Sequence, residues 1–350
     1  MNQIKRLCLL FGLLIGTASA ATGQVESQQL TSEHIADNVL GIPATRDVRI
    51  YLPPGYDKSE RNYPVVYFLH TFFENADTFF TQQQGHMPFE RAFAAGRLDE
   101  LIIVTADFNT PAGGSLFTNS PVTGRWRDFL VEELVPFVDE HYRTRNERAS
   151  RAIIGYQAGG YGAIRIASRH PDVFGVVYAM HPVATGFGHT LMQSRPNWAT
   201  LGNARSVADL EGDFLSLIFT AIYQANLPNP DKPPLYFDPP ATRIDTKLVI
   251  DPALTDQLQD SFFLERQVGR FADNLKSLIA FKFDWGRHDG NQDHVYSNQF
   301  YTRKLNEYGI PHEAEEYNGG WGDKTFDAGG RIATDVIPFL ATHLTFGETE

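Results

Sequence analysis

The chain has 350 residues, of which 42% are hydrophobic, 13% aromatic and only 21% charged, a composition that excludes disordered, collagen-like and coiled-coil architectures. Acidic residues outnumber basic ones by 42 to 30, for a formal charge of -12, which argues against a phosphate-backbone binder, so no nucleic-acid partner is expected. The single cysteine is Cys8, which rules out disulfides and cysteine-ligated metals elsewhere in the protein.

Residues 1–20 read MNQIKRLCLLFGLLIGTASA. Lys5 and Arg6 precede an apolar run from Leu7 to Gly16, and Ala18-Ser19-Ala20 supplies a small-residue cleavage pattern, so a secretory signal peptide is expected. The run is too short for a bilayer, which takes about 20 residues. Cleavage would remove Cys8 and leave a more acidic chain in the periplasm or outside the cell, with no membrane span remaining.

From residue 46 to residue 345, short apolar or β-branched runs alternate with amphipathic stretches, the pattern of βαβ units and a mostly parallel sheet. Strands are expected over Asp47–Leu52, Val65–His70, Leu101–Asp107, Ala152–Gly155, Val176–His181, Leu278–Trp285 and Glu313–Tyr317. Helices are expected over Trp126–Tyr142, Gly159–Arg169, Phe262–Lys276, Gln292–Glu307 and Arg331–Leu344, where apolar residues recur every three or four positions. In the first of these, Phe129, Leu130, Leu134, Phe137 and Val138 form a stripe to be buried. Residues 183–250 hold no clear strand and include the proline-rich LPNPDKPPLYFDPP from Leu227 to Pro240. They read as an insertion over the strand ends, placed to act as a lid or pocket wall. The expected organisation is a lead segment over residues 21–44 and one α/β domain over residues 45–345.

The chemistry concentrates in RAIIGYQAGGYGAIRIASR, from Arg151 to Arg169: a buried strand, a glycine-rich turn and a helix. Glycines flanking a sharp strand-to-helix turn form the backbone of a nucleophile elbow, G-x-S-x-G. Here the window is Gly155-Tyr156-Gln157-Ala158-Gly159. The nucleophile position holds Gln157, whose amide has no ionisable hydroxyl or thiol.

Further stretches carry a resemblance. VRIYLPPGYDKSERNYPVVYFLH, SLFTNSPVTGRWRDFLVEELVPFVDEHYRT, GGYGAIRIASRHPDVFG, FDWGRHD and YGIPHEAEEYNGGWGD together resemble the "putative esterase" family of α/β hydrolases, which includes enterochelin, feruloyl and acetyl xylan esterases and S-formylglutathione hydrolase. The resemblance runs over about residues 45 to 345 and implies an α/β-hydrolase fold and carboxylic-ester hydrolysis. It places the family's serine on Gln157, its acid on Asp289 and its histidine on Trp321. No other histidine is expected nearby to replace the last, since His312 precedes a strand and His343 lies on the final helix. The oxyanion segment, usually a histidine followed by glycine, reads His70-Thr71-Phe72-Phe73.

Loss of either the serine or the histidine of such a triad lowers turnover by on the order of 10⁶. An exported homologue without ordinary serine-esterase activity is therefore expected, binding an ester-, sugar- or phenolic-type ligand, or a partner of unspecified kind, at the altered rim. Thr71, Phe72, Phe73, Tyr156 and Ala158 are the expected ligand-binding residues, with Asp289 behind them. The alternative is a hydrolase whose water is activated by His181, oriented by Asp289. His288, Asp289, Asp293 and His294 have the composition of a zinc site but no recognised ligand spacing, so no metal and no cofactor is expected. Ser115 and Ser120 read as loop-shaping hydroxyls.

Overall fold

The computed structural model describes residues 22–186 and 195–347. The expected signal peptide, with Cys8, lies outside the described residues. The main sheet has eight strands: β1 (Gln24–Thr31), β2 (Thr45–Leu52), β3 (Val65–Leu69), β4 (Ile102–Ala106), β5 (Arg151–Tyr156), β6 (Val176–Met180), β7 (Ala280–Gly286) and β8 (Glu313–Tyr317). Their order is β1-β2-β4-β3-β5-β6-β7-β8. The β1–β2 and β2–β4 pairs are antiparallel and the rest parallel. This is the α/β-hydrolase architecture.

The strands form where apolar residues run unbroken, because helices cover both faces of the sheet. Every residue of β3, β4 and β6 is buried. Alternate side chains feed opposite cores: Val65, Tyr67 and Leu69 join Phe281 and Phe283 on one face, while Val66 and Phe68 join Ile154 and Tyr178 on the other. Each such side chain contributes roughly 1.5–3 kcal/mol on burial.

The seven expected strands are present, each with ends within two residues of expectation. The strands expected to end on His70 and His181 stop one residue earlier, at Leu69 and Met180. At His181 the chain turns out of the sheet with φ 47°. The eighth strand, β1, falls inside the expected lead segment and pairs with β2 along its whole length, from Gln24↔Leu52 to Thr31↔Thr45. Its sequence, QVESQQLT, carries little apolar signal because an edge strand is held by its backbone ladder more than by buried side chains.

The expected helix over Trp126–Tyr142 is a continuous helical run from Trp126 to His141 that widens to π geometry over Phe129–Leu134. The widening shifts the phase of the stripe, so Val135 is buried and Phe137 only half-buried. The single helix expected over Phe262–Lys276 is instead divided among Pro252–Phe262, Leu264–Gln267 and Ala272–Ser277. Phe263 interrupts it in extended conformation, with φ -76° and ψ 127°.

The insertion contains strand after all: Ala241–Ile244 pairs antiparallel with Lys247–Ile250. Its side chains are nearly all exposed, so no burial pattern marked it. The proline-rich stretch itself has no ladder, only a bridge between Pro228 and Phe237. The insertion also supplies the helix Phe214–Asn226, started by an Asp213 side chain that accepts the Ser216 N–H.

Candidate active site

Strand β5 delivers the chain to Gln157, which bends it with φ 54° and ψ -112° into the helix Ala158–Ala167. The flanking glycines are required: a Cβ on Gly155 would run into the Gly159 carbonyl, and one on Gly159 into the Leu69 carbonyl. The elbow is therefore intact as a backbone. Its side chain is tied down, because the Gln157 amide donates from Nε2 to the Tyr156 hydroxyl at 2.7 Å.

In an acyl-transfer elbow, the N–H of the residue after the nucleophile donates to the oxyanion, aided by an N–H from the loop after β3. Here the Ala158 N–H donates to Thr71 Oγ1 at 3.3 Å, and the Thr71 N–H to Glu74 Oε2 at 3.3 Å. His70 is buried and structural. Its Nδ1 donates to the Thr71 carbonyl at 2.7 Å, its Nε2 accepts the Phe108 N–H at 2.9 Å, and burial lowers its pKa. Ser115 and Ser120 shape their loops as expected: Ser115 accepts the Phe117 N–H, and Ser120 accepts the Val122 N–H while donating to the Gln224 carbonyl of the insertion helix.

Asp289 lies in the turn between β7 and the helix Gln292–Glu307. Its Oδ2 accepts His181 Nε2 at 2.9 Å and His294 Nδ1 at 2.8 Å, and its Oδ1 accepts the Asn291 N–H at 2.7 Å. Burial would raise its pKa, but these donors more than reverse that and hold it well below the usual carboxylate range.

His181 is only 1% exposed, and its Nδ1 accepts the Gly286 N–H at 3.1 Å. That bond assigns the proton to Nε2, where Asp289 takes it. With both nitrogens engaged and no path to solvent, His181 cannot be the base that the sequence suggested; it braces Asp289 instead. Beneath it, Asp284 accepts Tyr178 OH at 2.7 Å and Arg331 Nε at 3.0 Å.

Contrary to the sequence expectation, a histidine does stand near the acid. His294 sits on the first turn of the helix begun by Asn291, whose side chain accepts the Asp293 N–H. Its Nδ1 faces Asp289, and its Nε2 accepts from Asn291 Nδ2 at 3.2 Å. The usable signal was the Asn291 cap followed by His294, since one helical turn returns that side chain over the loop that precedes it. Trp321, on which the resemblance places the family's histidine, stacks on the His294 ring at 4.4 Å and meets His181 edge-on at 4.6 Å.

Of the four residues considered for zinc, His288 is exposed and turned to Asn318 Oδ1 at 3.0 Å. A different trio, His181, Asp289 and His294, has its donor atoms within 4.8 Å of one another. The tautomer of His181 argues against a metal there: its Nδ1 lone pair is taken by Gly286, so Nε2 keeps its proton and has no pair to offer.

These groups share a cavity of about 480 Å³. Phe214, Leu215, Ile218, Phe219 and Ile222 of the insertion helix wall one side, so the insertion is the pocket wall expected of it. Thr71, Phe72, Gln157 and Trp321 line the cavity as expected; Asp289, expected behind them, lines it too, together with Asn291, Asp293 and His294. Three expected ligand-binding residues do not. Phe73 sits at the outer edge against Phe214 at 5.2 Å, Tyr156 packs on Phe326 at 5.4 Å, and Ala158 is buried, with its N–H on Thr71.

Comparison with known proteins agrees with this framework. Residues 41–211 match the family model described as "Putative esterase". An esterase of Mycobacterium tuberculosis is 27% identical over 282 residues, 78% of this chain and 52% of that protein. An endo-1,4-beta-xylanase/feruloyl esterase of Xylanibacter ruminicola is 28% identical over 135 residues, 36% of this chain and 18% of the relative. The chain thus spans about half of the first relative's length and under a fifth of the second's. The solved structure of a ferulic acid esterase has the same fold, with a TM-score of 0.62 at 20% identity over 92% of this chain and 99% of that one. With its sheet order, its elbow and this match over residues 41–211, the chain has the α/β-hydrolase fold and is similar to the "putative esterase" family.

Proposed function

We propose that this esterase-family protein has lost serine-esterase chemistry and holds an uncharged ester- or phenol-type ligand in the cavity beside Gln157. The observation that carries the reading is the elbow: Gln157 offers no nucleophilic hydroxyl, and the Ala158 N–H is already occupied by Thr71. The cavity supports the ligand class. Phe72, Phe214, Phe219 and Phe262 suit an aromatic or acyl group, whereas a sugar's hydroxyls would lose water against that wall and find partners only at the end formed by Asn291, Asp293 and His294. Among the described residues no Lys or Arg lines the cavity while Asp289 and Asp293 do, so an ester is favoured over the free acid. The feruloyl esterase named in the Xylanibacter relative supports an aromatic ester as the ligand class.

Purified protein incubated with a fluorophosphonate probe should carry no labelled serine; a labelled serine overturns the loss of serine chemistry. Methyl ferulate at a hundred times its Kd should stabilise the fold by about 2.7 kcal/mol, read as a thermal shift. Absence of a shift with both methyl ferulate and phenyl acetate overturns the ligand class. We also propose export, supported by Lys5, Arg6, the apolar run and Ala18-Ser19-Ala20. Amino-terminal sequencing should find Ala21 first, and a mature chain that begins at Met1 overturns it.

A further inference from the structure

We propose that His294, held by Asp289, is a general base that activates water against an uncharged ester in the cavity, without any covalent intermediate. The proposal rests on the cavity being the ligand site, and goes beyond that reading by assigning it a reaction.

Three observations carry it. First, Asp289 Oδ2 accepts His294 Nδ1 at 2.8 Å, which leaves the basic lone pair on Nε2. A carboxylate on one ring nitrogen and a lone pair on the other is the arrangement a general base requires. Second, His294 and Asn291 both line the cavity, so that lone pair lies at its polar end. Its one partner among the described residues is the Asn291 amide at 3.2 Å, a long bond that a water can replace. Third, the rest of the site is built around this ring. Trp321 stacks on it, and His181, itself fixed by the Gly286 N–H, braces the same carboxylate oxygen. The pair reproduces a carboxylate–imidazole couple from a helix turn, whereas the position where the family keeps its histidine holds an indole.

In the step, the water oxygen bonds to the acyl carbon while its proton passes to His294 Nε2. The acyl C–O bond then breaks, and the Nε2 proton goes to the departing alkoxide. Acid and alcohol are released, His294 returns to its neutral form, and Asp289 remains ionised throughout, holding Nδ1–H. Thr71 Oγ1 accepts the Ala158 N–H and so retains its own hydrogen to donate to the ester carbonyl.

The test uses the full chain with 4-nitrophenyl acetate and methyl ferulate. Wild type should exceed His294→Gln by about 10²-fold or more in kcat, the scale of general-base catalysis, with KM little changed. Asp289→Asn should also lose kcat, because an amide no longer fixes the tautomer. Mass spectrometry during turnover should find no acyl-protein. Thermal melts of His294→Gln establish that it is folded. A wild-type rate no higher than that of folded His294→Gln, or a trapped acyl-protein, overturns the proposal. Methyl ferulate that binds without being hydrolysed removes the base and leaves the binding reading; methyl ferulate that does not bind removes both.

Discussion

The elbow and the acid turn face each other across one cavity and are held together in opposite ways. The elbow keeps its geometry without its chemistry: Gln157 retains the left-handed φ of 54° although it carries no nucleophile. The acid turn instead carries a complete set of partners: Asp289 holds two imidazoles, and Trp321 from the loop after β8 stacks on one of them. A left-handed non-glycine residue costs on the order of 1–3 kcal/mol and survives only where its surroundings over-determine it. The strain at the elbow is thus maintained by packed glycine backbone, independently of the side chain at its tip. The carboxylate, by contrast, is held by the N–H groups aimed at it, and those can come from a different element.

The largest effect should come from breaking the elbow's backbone. In Gly159→Ala, the new Cβ meets the Leu69 carbonyl, which has no rotamer to move. A loss of more than about 3 kcal/mol, or failure to fold, is expected and would be read by urea denaturation. A change under about 1 kcal/mol would mean that the elbow is held by something other than this packing.

Next comes the acid turn. Asp289→Ala leaves the His181 Nε2–H buried without an acceptor, for an expected loss of roughly 2–4 kcal/mol at neutral pH. The pH dependence has a definite sign. The native carboxyl lies well below its unfolded value near about 4 because His181, His294 and the Asn291 N–H outweigh the effect of burial. Its contribution is therefore full above pH of about 4 and is lost as pH falls from there through the native value. The gap between the urea midpoints of wild type and Asp289→Asn should narrow steadily below pH of about 4. A gap that stays constant would show that the carboxylate is not what holds the two rings.

These two regions also differ in how much of them the sequence disclosed. The strands β3 to β7 are legible because their apolar runs are longer than chance and end on glycine or polar residues. The elbow is legible because glycines at fixed spacing have a steric reason to be there. Strand β1 and the hairpin Ala241–Ile244 with Lys247–Ile250 were not legible, since exposed ladders leave no apolar period. At the acid turn, Asp289 could be placed by its G-x-x-D pattern, but the roles of its partners could not. His181 and His294 are separated from Asp289 by 108 and 5 residues, and which of them is sealed and which faces the cavity is decided by packing alone. Adjacency in sequence places Tyr156 and Phe73 among the lining residues, and side-chain direction overrules it.

A smaller effect is expected at the seam between the regions. Trp321 is 40% exposed and stacks on His294, so Trp321→Ala should cost about 1 kcal/mol, in the range of a single aromatic pair. A loss as large as that of Asp289→Ala would make the indole, and not the carboxylate, the organiser of the turn.

The smallest change in stability should come from Gln157→Ser, yet it joins the two regions most directly. It removes only the bond to the half-buried Tyr156 hydroxyl, worth about 1 kcal/mol or less. It also returns a hydroxyl to a backbone already bent to present one. No serine labelling by a fluorophosphonate is expected, because the Ala158 N–H remains on Thr71 and is not free for the oxyanion. Geometry at the elbow alone then does not make a nucleophile. Labelling at position 157 at a rate that falls in Gln157→Ser/His294→Gln would show the opposite, that the imidazole on the helix turn reaches the elbow and that the two regions can still act as one site.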